Sequence, residues 1–116
     1  MNQHRPERIV EGVYIKTKKQ IEGISRCARL ASKILHEMGK LVKPGVSTDT
    51  IDEACYEMTL ENGAIPAPLD YRGFPKSCCI SVNDVVCHGI PGDYVLQDGD
   101  LVNIDVTPIL DGYYGD

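Results

Sequence analysis

Several features that mark membrane, secreted and repeat proteins are missing from this sequence. It has no uninterrupted apolar run of membrane-spanning length, no charged-then-apolar leader at Met1, and no internal repeat or low-complexity tract. We therefore expect no membrane partner and a cytoplasmic location. The composition, with 42% apolar and 25% charged residues over 116 positions, is that of one soluble globular domain able to bury a core.

A strongly basic character is also missing, since the net charge is −5. The N-terminal third is nonetheless locally basic, and this patch has two interpretations, a solvated helix face or an RNA contact. No aromatic side chains alternate with the cations, so the solvated face is favoured and no direct nucleic-acid binding is expected. The basic residues are Arg5, Arg8, Lys16, Lys18, Lys19, Arg26, Arg29 and Lys33.

The cysteines lack the spacing of a disulfide framework or a zinc site. There are five of them, an odd number, and no CxxC pair occurs. Reduced, mostly buried thiols are predicted at Cys27, Cys55, Cys78, Cys79 and Cys87. Cys78 and Cys79 are neighbours in a predicted strand, so their side chains should point to opposite faces.

The first half of the sequence predicts a short arm followed by two helices. Residues 1–14 are polar and without a strong period, and residues 15–116 form the domain itself. Thr17 and Gln20 match a capping box, and a helical period continues to a stop at Pro44-Gly45. Its apolar positions are Ile21, Ile24, Ala28, Ala31, Leu35, Met38 and Leu41. A second amphipathic helix should begin at Ser47 or Thr48 and stop at Asn62-Gly63.

The second half predicts loops and antiparallel strands. Residues 64–76 are rich in proline and glycine and should form a loop. Strands are predicted over 78–82, over 85–87 leading into His88, and over 101–110. Asp111-Gly112 is a strong signal for a type I′ hairpin turn. The fold class expected is therefore α+β, with two amphipathic helices packed on an antiparallel sheet.

The hairpin register brings two carboxylates together. If Leu110 pairs with Tyr113, then Thr107 pairs with Asp116, and Asp105 shares the strand face of Thr107. Two like charges on so apolar a face are costly unless a cation neutralises them, which suits a dinuclear metal site. Solvated hairpin carboxylates are the alternative. Pro108 is a weak point, because a bulge there would move one aspartate to the other face.

His88 follows an apolar strand and precedes Gly89, where a loop can aim an imidazole into a cleft. A lone histidine is more often a structural hydrogen-bonding group than a catalyst, so both interpretations stay open on the residues alone.

These motifs resemble those of the N-terminal half of type I methionine aminopeptidases. The resemblance rests on YRGFPKSCCISVNDVVCHGIP at 71–91, DGDLVNIDVTPILDGYYGD at 98–116 and KPGVST at 43–48. It implies the pita-bread metallopeptidase fold, with a dinuclear site between two pseudo-symmetric halves. Two divalent ions are expected, of cobalt, manganese, iron or zinc.

The resemblance also implies a role for each site residue. Asp105 would chelate one metal ion and Asp116 would bridge both. His88 would contact the scissile peptide and assist its breakdown, as a catalytic and substrate-binding residue. The methionine side chain would lie against Tyr71, Phe74 and Cys79, with phenylalanine at 74 replacing a common tyrosine.

By the same resemblance, the reaction is removal of the initiator methionine from nascent proteins with a small second residue. The remaining ligands, one histidine and two glutamates, would lie beyond residue 116, so residues 1–116 alone are expected to be inactive. Nascent polypeptide N-termini are the expected partners, the ribosome is a candidate partner, and the full-length protein is expected to be monomeric. The alternative is a non-catalytic binding protein of the same fold.

Overall fold

A computed structural model describes residues 8–116, which form two helices and seven short strands. In chain order these are β1 (Arg8–Val10), β2 (Val13–Ile15), α1 (Lys18–Gly39), α2 (Thr48–Glu61), β3 (Ile65–Pro66), β4 (Cys79–Val82), β5 (Val102–Asp105), β6 (Pro108–Leu110) and β7 (Tyr113–Tyr114). All strand pairs are antiparallel, so the predicted α+β class is confirmed. None of the helices found in residues 8–116 is both long enough and apolar enough to cross a membrane.

The predicted N-terminal arm is partly a β-hairpin. Residues 1–7 lie outside the described residues, and β1 pairs with β2 through Ile9 opposite Tyr14. The turn between them places both Glu11 and Gly12 at positive φ, which matches the twist of a tight hairpin. The expected boundary after residue 14 therefore falls inside β2.

Helix α1 begins where the capping box predicts and ends earlier than expected. The Thr17 side chain accepts a hydrogen bond from the backbone N–H of Gln20, and the Gln20 side chain accepts one from the N–H of Thr17. The helix ends at Gly39 and Lys40 caps it, so the predicted stop at Pro44-Gly45 is wrong by about one turn. After Gly39 the chain continues in turns, in which the N–H of Leu41 donates to the carbonyl of Met38 and the N–H of Val42 donates to that of Gly39. The helix has therefore ended before Pro44.

The buried face of α1 agrees only in part with the one that the apolar period predicts. Ala31 and Met38 are buried as expected, but Ile21, Ile24 and Leu35 are exposed. The full buried set is Gln20, Gly23, Cys27, Leu30, Ala31, Ile34 and Met38. The reason is close packing against β6 and β7. At Gly23 a Cβ would overlap the ring of Tyr113, so only small residues fit on the face that meets these strands.

Helix α2 begins and ends where the sequence predicts, at Thr48 and Glu61. Ser47 is the N-cap, with its hydroxyl accepting from the N–H of Thr50, and Asn62 is the C-cap. Ile51 and Cys55 are buried, and the helix packs against α1 and β3. Together with Ile34, Met38 and Ile80 they form the hydrophobic core of the domain.

The predicted continuous strand over 101–110 is divided between two small sheets. Strand β5 pairs with β4, while β6 lies between β3 and β7. The break falls at Val106 and Thr107, directly before Pro108, whose missing N–H cannot support a continuous ladder. The expected single sheet is therefore replaced by separate antiparallel sheets, on which the two helices pack.

One predicted loop and one predicted strand need correction. The segment 64–76, expected to be loop throughout, contains β3, which pairs with β6 through Ile65 opposite Ile109, and a 3₁₀ turn at Tyr71–Gly73. The strand expected over 85–87 is absent from the described structure, where Val86 is 91% exposed. The chain returns to the edge of β4 only at Gly89, whose carbonyl accepts from the N–H of Ile80.

Candidate active site

The two predicted metal-binding aspartates lie next to each other. The Asp111-Gly112 turn has both residues at positive φ, and Leu110 pairs with Tyr113 as predicted. The N–H of Gly115 donates to the carbonyl of Pro108 at 3.0 Å, which extends this register to the end of the described chain. Asp105, at the end of β5 in the neighbouring sheet, lies close enough to Asp116 for the two side chains to form a hydrogen bond.

Their proximity changes the proton affinity of Asp105. Partial shielding from water raises the pKa of its carboxyl, the charge and the hydrogen bond of Asp116 raise it further, and His88 lowers it to a smaller extent. The same three side chains that were predicted as metal ligands and catalyst thus interact electrostatically. A bulge at Pro108 could have moved one aspartate to the other face of the sheet, but the two carboxyl groups lie together.

His88 is held in an uncommon backbone conformation. Its φ is 54°, in the left-handed region, and the next residue is fixed to β4. The N–H of Gly89 donates to the Ser81 hydroxyl at 3.0 Å, and its carbonyl accepts from Ile80 at 2.9 Å. A Cβ at position 89 would overlap the Ile80 carbonyl oxygen, so this approach requires glycine.

Cys79 lies directly opposite Asp105 in the β4–β5 ladder. Burial raises the pKa of its thiol, and the charge of Asp105 raises it further. Its neighbour Cys78 points the other way, into the core, as the strand period predicts.

Asp52 explains why the adjacent cysteines keep these orientations. It is a buried side chain of α2 whose Oδ1 accepts hydrogen bonds from the backbone N–H groups of Ser77 and Cys78, at 2.8 and 3.0 Å. The Cys78 thiol donates to the same oxygen at 3.4 Å. This carboxylate therefore fixes the start of β4 and directs Cys79 toward Asp105.

The exposure of the cysteines predicts an order of chemical labelling. All five thiols are free, with Cys87 exposed, Cys79 intermediate and the others buried. Under native conditions a maleimide should modify Cys87 fastest and Cys79 second, because reaction requires an accessible thiol. Peptide mass spectrometry after timed quenching gives the order. Denaturation without reductant should expose five thiols, and a smaller number would contradict the absence of disulfides.

Tyr71 and Phe74 lie in the turn that precedes β4. Tyr71 is 64% exposed, and the guanidinium of Arg72 lies 5.3 Å from its ring centroid. Phe74 is half-buried, and its N–H donates to the carbonyl of Tyr71 at 2.9 Å. The place of Tyr71 and Phe74 in a methionine pocket stays a prediction.

Two buried hydroxyls near His88 were not singled out from the sequence as site residues. Ser81 contacts Gly89, and the Thr48 hydroxyl both donates to the carbonyl of Gly92, at 3.1 Å, and accepts from its N–H, at 2.9 Å. The loop that carries His88 is therefore attached to β4 at one point and to the start of α2 at another. The sequence could have indicated Ser81, because it lies two residues after Cys79 and therefore on the same strand face.

Asp105 and Asp116 are the residues of this chain that could contribute to a divalent metal site. Asp105 and Asp116 bring carboxylate oxygens together. Manganese, iron, cobalt and zinc accept ligands of this type, and a bound cation would neutralise the repulsion between the two carboxylates. Within residues 8–116 no cluster of three or more histidine, cysteine, aspartate or glutamate side chains is arranged to hold a metal ion. The pair therefore fits a shared site that needs further ligands.

Comparison with solved structures defines the class of protein. Over 88% of this chain and 41% of the other, the fold matches the crystal structure of a methionine aminopeptidase from Rickettsia prowazekii, with a TM-score of 0.87 and 50% identity. A methionine aminopeptidase from Thermotoga maritima gives a TM-score of 0.83 at 31% identity, covering 86% of this chain and 41% of that one. The pita-bread fold class is thereby confirmed.

The sequence then gives the family. Residues 22–116 match the model of metallopeptidase family M24, and the chain belongs to this family. It is 54% identical over 108 residues, 93% of its length, to "Methionine aminopeptidase 1D, chloroplastic/mitochondrial" from Arabidopsis thaliana, of which it covers 31%. A methionine aminopeptidase of Rickettsia prowazekii is 49% identical over 90% of this chain and 40% of its own length. The chain thus spans about a third of the length of its curated relatives.

Proposed function

We propose that these residues are the N-terminal part of a methionine aminopeptidase, which removes the initiator methionine from nascent proteins and peptides whose second residue is small. The observation that carries the proposal is the contact between the Asp105 and Asp116 carboxyl groups, with His88 close enough to affect Asp105. Relatives named methionine aminopeptidase, about half identical over most of the chain, support the substrate class.

Asp105 and Asp116 would hold a dinuclear centre of divalent ions, with Asp116 as the bridge. When bound, such ions would activate a water molecule as the nucleophile and polarise the scissile carbonyl. The remaining donors would come from a further part of the protein, because two carboxylates offer four oxygens to ions that need about four to six donors each.

The side chains of this segment would then bind and orient the substrate. His88 would donate a hydrogen bond to the scissile peptide and assist its breakdown. Cys79, opposite Asp105, would contact the methionine side chain together with Tyr71 and Phe74. Nascent N-termini are the proposed partners, with the ribosome as a candidate, and we propose a monomeric, cytoplasmic protein.

Turnover of a tripeptide beginning Met-Gly tests this proposal. The full-length protein, treated with EDTA and reloaded with manganese or cobalt, should release methionine, while the EDTA-treated protein and residues 1–116 alone should not. A matched tripeptide with a bulky second residue should be a poor substrate. Free methionine measured by chromatography gives the rate.

Two results would decide against parts of the proposal. Substantial turnover by residues 1–116 would overturn the need for further ligands. Binding of the tripeptide by the full-length protein without turnover, with manganese, iron, cobalt or zinc, would favour a non-catalytic binding protein.

A further inference from the structure

The loop that carries His88 is attached to the sheet immediately after the histidine. The N–H of Gly89 belongs to the peptide plane that begins with the His88 carbonyl carbon, so a bond to this N–H fixes the orientation of that whole plane. Its acceptor is the Ser81 hydroxyl, at 3.0 Å. Ser81 is only 3% exposed and lies in the middle of β4, a rigid position.

The backbone of His88 needs such a restraint. A φ of 54° is unfavourable for a residue with a Cβ, and it persists only where neighbouring contacts impose it. On the C-terminal side of His88 these contacts are the two hydrogen bonds of Gly89, one to Ser81 and one from Ile80. The Ile80 bond is part of the strand backbone, so Ser81 is the side chain that orients this peptide.

We infer that Ser81 is a positioning residue for His88: its hydroxyl holds the 88–89 peptide and thereby sets how the imidazole is presented to the substrate. The inference rests on the proposed function for its catalytic consequence. Ser81 touches neither substrate nor metal ion in this assignment, and it acts only through His88. Loss of the hydroxyl leaves the Gly89 N–H without its acceptor and allows the strained histidine to relax.

Kinetics of variants of the full-length protein test the inference. Ser81→Ala should lower kcat by about 10- to 100-fold, because a displacement of roughly 1 Å in a reacting group has that effect. KM should change less than about threefold and metal affinity should be retained, since Asp105 and Asp116 are untouched. Ser81→Thr keeps the hydroxyl and should recover most of the rate.

Ser47→Ala is a control for loss of a serine hydroxyl that accepts a backbone hydrogen bond. Ser47 caps α2, so its loss should destabilise the protein, yet it should leave kcat within about twofold.

A double variant tests whether Ser81 acts through His88. Ser81→Ala should slow a His88→Ala protein less than about twofold, because the positioned group is already gone. Equal, additive losses in both backgrounds would overturn the inference.

A measurement that needs no turnover separates this inference from the proposed function. In NMR spectra, Ser81→Ala should move the imidazole resonances of His88 and speed amide exchange at Gly89 by about tenfold or more, while Ser47→Ala should do neither. If the wild-type protein fails to cleave methionine peptides, the proposed function fails, and these spectra still decide whether Ser81 positions His88. Unchanged His88 resonances in the folded Ser81→Ala protein would refute the inference.

Discussion

If Asp116 bridges the proposed metal ions, replacing it with asparagine in the full-length protein should abolish their tight binding. The amide keeps the shape of the side chain but removes the negative charge that faces Asp105. Removal of groups that only support metal ligands costs about 10- to 100-fold in affinity, so loss of a bridging ligand should cost at least about 100-fold. Calorimetric titration of manganese or cobalt into the EDTA-treated protein measures the change.

His88→Ala is the informative contrast to this variant. It removes a group proposed to contact the substrate, so metal affinity should stay within about threefold while turnover falls by about 100-fold or more, the usual scale for a proton-transferring side chain. Wild-type metal affinity in the Asp116→Asn protein would contradict the bridging role. Loss of metal from the His88→Ala protein would show that His88 is a ligand.

Gly115→Ala should both destabilise the full-length protein and displace Asp116. A Cβ at this position would overlap the carbonyl oxygen of Cys27 and come within 2.9 Å of the Ala28 nitrogen, both backbone atoms of α1. Backbone atoms cannot rotate away, so β7 must move off the helix. Overpacking of this kind costs about 1–3 kcal/mol. In a domain of about 150–250 residues, this lowers Tm by roughly 2–12 °C.

Gly39→Ala provides the control for this substitution. A Cβ at Gly39, the last residue of α1, meets no atom within 4 Å, and alanine is the better helix former. Its Tm should be unchanged or higher, and its turnover should equal that of the wild type. Thermal melts of both variants, followed by circular dichroism, make the comparison. A Gly115→Ala protein as stable as Gly39→Ala would show that α1 and β7 are not packed this closely.

Local signals in the sequence predicted the parts of the fold that depend on neighbouring residues. The capping box at Thr17, the limits of α2 and the Asp111-Gly112 turn each rest on contacts within a few residues. The turn fixed which residues pair across it, as predicted, but Asp105 lies on β5, which is not part of that hairpin. The sequence thus predicted that the two carboxyl groups lie together, although the continuous strand assumed for that prediction is broken at Val106 and Thr107.

Features that depend on distant residues were predicted wrongly or missed. The face of α1 that is buried was decided by the approach of Tyr113 and Gly115, which no helical period reveals. Similarly, the contacts of Ser81 with Gly89 and of Thr48 with Gly92 join segments 8 and 44 residues apart. Only the fold shows that these hydroxyls hold the His88 loop.

The packing of α1 on β6 and β7 also imposes an order on biosynthesis. The thiol of Cys27 donates to the carbonyl of Pro108, a contact that spans 81 positions of the chain. About 70 residues separate the end of the helix at Gly39 from Pro108, and at a translation rate of about 5–20 residues per second they take roughly 4–14 s to make. Throughout that interval the face of α1 that packs on β6 and β7 is uncovered, so the nascent chain is exposed to chaperones and to aggregation before its aspartate pair exists.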